Sequence, residues 1–142
     1  MGLKQEQFIA DFQAAWGDGT LETKPDIEKI LSMMSEDAEW QQWVPGGPVI
    51  RGREALREEL HRQTRIATNN KCNIVNVLSS DTMVMQERSD TAVIFGKYCP
   101  HQMVAVYELD ENGLIRRWRE YLDMADLTAK IGVDSHAAGY DG

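Results

Sequence analysis

The most constraining feature of this chain is its second half. From Lys71 to Met124 it is a succession of strand-like runs, Lys71–Leu78, Thr82–Phe95, Tyr98–Leu109 and Leu114–Met124, with no helical pattern between them. The last two runs are separated by Asp110-Glu111-Asn112-Gly113, and Asn-Gly accepts the positive φ angles that a tight hairpin demands. Strands joined by short turns are adjacent and antiparallel. The sheet must therefore be antiparallel over this region, and one of its faces needs a cover.

The first half supplies the cover. Residues 4–16 repeat Phe8, Phe12 and Trp16 at helical spacing, and Gly17-Asp18-Gly19 ends the helix. Thr23-Lys24-Pro25-Asp26 opens a second helix, with Ile27, Ile30, Leu31 and Met34 on one stripe. Ala38–Val44 reads as a short strand broken by Pro45-Gly46-Gly47-Pro48. Arg53–Ala67 reads as a third helix, with Leu56 and Leu60 on its apolar side, and Asp126–Ile131 as a short last one. Helices first and strands after give an α+β fold: a curved antiparallel sheet forming a cone-shaped cavity, with the helices packed on the concave face. The 142 residues suit one domain, read as 1–131, with a small polar tail over 132–142 that frays.

Composition narrows the partners. The net charge of −8 repels polyanions, so nucleic acid is not the expected partner. No apolar run is long enough to span a bilayer. Cys72 and Cys99 form no CxxC pair and nothing resembles a signal peptide, so a cytoplasmic protein with two reduced thiols is expected. Glu58-x-x-His61 has metal half-site spacing, but His61, His101 and His136 are the only histidines, so a metal centre is not expected. His61 reads as a surface residue; His101, on a strand after Pro100, has two readings, the cavity and the surface, of which the surface is preferred.

Two polar positions resist a packing explanation. Arg88 and Asp90 lie two apart on a strand, hence on one face, together with apolar Val84, Ala92 and Ile94. Asp123 closes the last strand, where it either caps the next helix or joins the pair. A guanidinium can hold two carboxylates at fixed positions, and two carboxylates in one dry pocket have their pKa values pushed apart.

Arg88-Ser89-Asp90 and Trp118-Arg119-Glu120-Tyr121-Leu122-Asp123 resemble the two strand motifs of the limonene-1,2-epoxide hydrolase family, within the SnoaL-like and nuclear-transport-factor-2-like superfamily. The resemblance spans nearly the whole chain. It implies an Asp-Arg-Asp triad in which Asp123 activates water as general base, Asp90 protonates the epoxide as general acid, and Arg88 bridges them. It also implies a small hydrophobic substrate, no cofactor, and a homodimer formed through the convex sheet face. The family holds its water with a tyrosine and an asparagine; Trp40 and Gln42 occupy those positions here, with Gln42 expected to share the water with Asp123 and Trp40 to line the wall. Two other readings stay open: a SnoaL-like isomerase or cyclase acting on an enolisable substrate, and a non-catalytic pocket protein.

Overall fold

The computed structural model describes residues 2–20 and 23–132; the expected tail over 132–142 lies outside them except for Gly132. Helix α1 (Leu3–Ala14) and helix α2 (Ile27–Ser32) are followed by strands β1 (Met34–Val44) and β2 (Val49–Arg51). Then come helix α3 (Arg53–Ile66), strands β3 (Ala67–Lys71), β4 (Ile74–Ser79), β5 (Met83–Ile94), β6 (Lys97–Leu109) and β7 (Ile115–Leu122), and helix α4 (Met124–Ile131). The second helix starts three residues later than Thr23, because Asp26 is the residue whose side chain accepts from Lys29 N. Among the described residues no helix is long and apolar enough to cross a membrane.

The strands form one strongly curled half-barrel sheet of order β2-β1-β7-β6-β5-β3, with β4 also paired to β5. Both long hairpins follow from turn chemistry. Phe95 and Gly96 take positive φ (50° and 78°) in the β5–β6 turn. At the β6–β7 turn Gly113 has φ 80°, and the Asp110 side chain accepts from the amides of Asn112 and Leu114.

The expectation of a wholly antiparallel sheet needs one correction: β1 runs parallel to β7, with Trp40 opposite Trp118. A parallel neighbour needs a long crossover, and everything from β2 to β6 provides it. The expected strand over Lys71–Leu78 is the shorter β4, and β3, which was not expected, precedes it as a separate short strand. β4 pairs the first half of β5 and β3 the second. Their junction, Cys72-Asn73, falls beside Ser89 and Asp90, where Ser89 N donates to Asn73 O.

On β5 every even residue from Val84 to Ile94 is buried. Val84 packs into the larger core with Ile9 and Phe12 of α1, Ile30 and Leu31 of α2, and Leu56 of α3. Ala92 and Ile94 pack into a second, smaller core with Leu127 and Ile131 of α4. Both cores lie on the same face of the sheet, as that alternation requires. Gln86, Arg88 and Asp90 occupy the stretch between them, so polar side chains are trapped between two apolar plugs.

Candidate active site

Arg88 is 3% exposed and sits at the centre of this stretch. Its Nη2 donates to Asp90 Oδ2 (2.9 Å) and to Glu120 Oε2 (2.7 Å). Its Nε donates to Asp90 Oδ2 (3.2 Å), and its Nη1 to the Tyr107 hydroxyl (2.6 Å). Gln13 of α1 donates in turn to that hydroxyl, which ties the guanidinium to a helix as well as to the sheet. Asp90 Oδ1 also accepts from the backbone N–H of Asn73 (3.3 Å), at the break between β3 and β4. The guanidinium is thus held by side chains of β5, β6 and β7, and its orientation is fixed.

The second carboxylate is Glu120, not Asp123. On β7, Trp118 and Glu120 are buried while Arg117, Arg119 and Tyr121 turn outward. Asp123 is exposed and its side chain accepts from Asp126 N (3.0 Å), capping α4. The alternation of a strand, with side chains on opposite faces every residue, puts Glu120 inside and excludes Asp123.

The pocket beside this cluster is lined by Trp16, Trp40, Cys72, His101, Met103 and Trp118 among others, with Arg88, Asp90 and Glu120 at its polar end. A second chamber opens beyond it. Glu120, Trp40, His101 and Met103 border both chambers, while Gln42, Ala92, Ile94 and Leu127 border the second alone. His101, expected on the surface, is half-buried and faces both; it stands opposite Asp90 in the β5–β6 register, which is why it points inward. Its Nδ1 is 2.9 Å from Cys99 O. Both cysteines are free thiols, as expected, and Cys72 borders the first chamber.

Trp40 is buried and stacked on Trp118, with ring centroids 4.5 Å apart and planes within 3° of parallel. Trp16 meets both edge-on. Gln42 is buried too, and its Nε2 donates to Glu59 Oε2 on α3 (2.6 Å). Glu59 is also held by Arg62 and Gln63. Gln42 and Asp123 do not border a common chamber, so the expected water between them has no place; Gln42 and Glu120 do border one.

Electrostatics separates the buried groups. Burial pushes the Glu120 carboxyl above its ordinary range, against the pull of the Arg88 charge. Burial works against the Arg88 charge, but Tyr107, Glu120 and Asp90 around it more than compensate, and it stays protonated. Burial raises the Tyr107 hydroxyl and the Cys72 thiol and lowers the His101 imidazole, so all three are neutral near pH 7. Burial acts to raise the Glu59 carboxyl, yet its donors from Arg62, Gln63 and Gln42 leave it below its ordinary value, hence ionised.

The model of the limonene-1,2-epoxide hydrolase catalytic domain matches residues 20–132. No curated protein sequence matches the chain. Among solved structures, an epoxide hydrolase of Mycobacterium tuberculosis resembling that family superposes with TM-score 0.73 at 20% identity, over 90% of this chain and 89% of its own. An epoxide hydrolase/cyclase-like enzyme of pyran ring formation in the polyether salinomycin gives 0.72 at 19% identity, over 87% and 93%. A protein of Catenulispora acidiphila with a ketosteroid isomerase-like fold gives 0.74 at 16% identity, over 96% and 98%.

Proposed function

This chain belongs to the limonene-1,2-epoxide hydrolase family, and we propose that it hydrates a small hydrophobic epoxide to a vicinal diol through Glu120, Arg88 and Asp90. The observation that carries the reading is one nitrogen, Arg88 Nη2, donating to both carboxyl groups at the polar end of a chamber with aromatic walls. Such a pair can act on opposite ends of one reaction. Buried Glu120 in its ionised form is a stronger base than a solvated glutamate.

In the proposed step a water donates to Glu120 and to the Gln42 amide oxygen in the chamber they share. The Glu59 carboxylate takes the Gln42 N–H and so leaves the amide oxygen as the acceptor. The water oxygen attacks an epoxide carbon, the carbon–oxygen bond breaks, and the epoxide oxygen takes the proton of Asp90. Glu120 gains the proton that the water loses. The diol leaves, and the proton returns from Glu120 to Asp90 through solvent. Acid and base each contribute about 10²–10⁴-fold in such a step. Arg88 keeps the two carboxyls apart and compensates their charge.

The test is diol formation from cyclic and terminal epoxides in ¹⁸O-labelled water. Label in the diol after one turnover supports direct attack. Label in a protein carboxylate would mean a covalent ester, and no turnover of any epoxide by protein that still binds apolar ligands would defeat the hydrolase reading.

A further inference from the structure

Gln13 of α1 borders the first chamber together with Asp90, yet the proposed step makes no use of it. An amide has a donor end and an acceptor end. One end of the Gln13 amide meets the Tyr107 hydroxyl. The other end makes no hydrogen bond to the described residues. It is nevertheless not sealed in, as both amide atoms of Gln86 are. The chamber is the space onto which this end opens, since Gln13 is otherwise buried and does not border the second chamber.

Tyr107 decides which end faces the chamber. Its hydroxyl is wholly buried, with one proton to give and two lone pairs to fill. Arg88 Nη1 donates to it at 2.6 Å, and a guanidinium has no acceptor to offer in return. With Gln13 Nε2 donating as well, the hydroxyl receives twice, and its own proton has no acceptor among the described residues. Native proteins rarely leave a buried donor dry. A half-turn of the amide about its last bond puts Oε1 where Nε2 stood, with almost no change of shape. The hydroxyl then receives from Arg88 and donates to Gln13, and both of its roles are filled.

We infer that Gln13 takes this exchanged orientation and is a substrate-binding residue: its Nε2 N–H faces the first chamber and donates to an acceptor oxygen, of ether or epoxide type, on the ligand bound there. This deepens the hydrolase reading and rests on it only for the ligand being an epoxide. The polar groups then sort by chamber. Gln13 and Asp90 border the first and not the second, and Gln42 borders the second and not the first. A donor amide therefore stands in the chamber of the proposed acid, and an acceptor amide in the chamber of the proposed water. The Tyr107 bond holds the Gln13 amide in place, so α1 contributes a fixed donor to a site otherwise built on the sheet.

The test uses tetrahydropyran and cyclohexane, unreactive rings of nearly equal shape that differ by O against CH₂. Each is titrated into ¹⁵N-labelled protein, in which the side-chain amide signal of Gln13 is identified through its correlation to the Gln13 backbone. Tetrahydropyran should move the Gln13 amide protons downfield, and cyclohexane should not. Gln13→Met keeps the length of the side chain without the amide. It should weaken tetrahydropyran about five- to tenfold, the effect of one net hydrogen bond, and leave cyclohexane within about twofold. Absence of tetrahydropyran binding, binding that leaves the amide protons unmoved, or an equal loss of both ligands in Gln13→Met overturns the inference. If Gln13→Met misfolds, the wild-type amide shifts decide alone. No turnover is involved, so the two readings fail separately. Protein inactive on every epoxide that still shows the ether preference loses only the hydrolase reading, and active protein without the preference loses only the Gln13 donor.

Discussion

Arg88 Nη2 lies 2.7 Å from Glu120 Oε2, and this contact joins the middle of β5 to the end of β7 across the intervening strand β6. Neither group tolerates burial alone. An unpaired charge here would cost several kcal/mol, whereas the pair with Asp90 and the Tyr107 hydroxyl closes the network. The sheet therefore stores its polar chemistry at one place, and the two apolar cores on either side keep it dry.

The first prediction separates two acids three residues apart. Glu120→Gln should lower kcat for epoxide hydrolysis by about 10² or more, since the base is lost at constant volume. Asp123→Asn should leave kcat within about twofold, because asparagine still caps a helix. Steady-state kinetics on both variants checks this. Large loss with Asp123→Asn and little with Glu120→Gln would return the base to the residue expected from the motif.

The pH profile gives a second check. Glu120 must be ionised to accept a proton, and its pKa is raised above the ordinary glutamate value of 4.5. Protonation then begins at higher pH than for an exposed glutamate, so kcat/KM should fall with acidity along a limb centred above 4.5. The same shift makes the ionised form a burden on the fold: native Glu120 holds its proton more tightly than the unfolded chain does, so its contribution to stability is largest at low pH and is lost as pH rises through the raised value. Profiles of wild type and Glu120→Asp, with circular dichroism at each pH to exclude unfolding, decide the matter. An acid limb at the usual carboxylate position would remove Glu120 from the role.

Much of this arrangement could be read from the residues. The order of helices and strands, the Asp110–Gly113 turn and the inward Arg88/Asp90 pair all follow from local periodicity and turn chemistry, and local rules survive folding. The family resemblance found from the two motifs agrees with the domain match over residues 20–132. The motif points to Asp123, but strand alternation points to Glu120. Trp118 and Glu120 share a face that Tyr121 and Asp123 cannot, and that signal was present in the strand itself. Tyr107, Gln13 and Cys72 could not be found this way. Their approach to Arg88 depends on how far the sheet curls and on where β3 breaks from β4, both long-range outcomes.

A third prediction concerns the water. Gln42→Leu removes the amide oxygen proposed to hold it, while Glu59 retains Arg62 and Gln63 as donors. The fold should persist, kcat should fall by about 10–100-fold, and the affinity for an inert apolar ligand should stay within about twofold, as expected for a group that acts on the water and not on the substrate. Equal loss of kcat and ligand affinity would make Gln42 a wall residue only.

The last prediction concerns Gln86, two residues before Arg88 on the same inward face and 1% exposed. Both its Oε1 and its Nε2 are buried without a hydrogen-bond partner. Dry, unsatisfied amide atoms cost roughly 1–3 kcal/mol each, and nothing in the proposed chemistry uses them. Gln86 borders neither chamber of the site. Its strand neighbours are Ala105 on β6 and Val77 on β4, both apolar. Methionine has the same length and flexibility without the amide, so Gln86→Met should raise the stability by about 1–3 kcal/mol. For a chain of this size that corresponds to a rise in Tm of roughly 3–10 °C. Hydrolysis should be unchanged, since Arg88 makes no contact with Gln86 among its hydrogen bonds. Thermal unfolding followed by circular dichroism measures the shift. A fall in Tm would mean that the amide is satisfied in solution by a buried water, and that this water belongs to the polar network beneath Arg88.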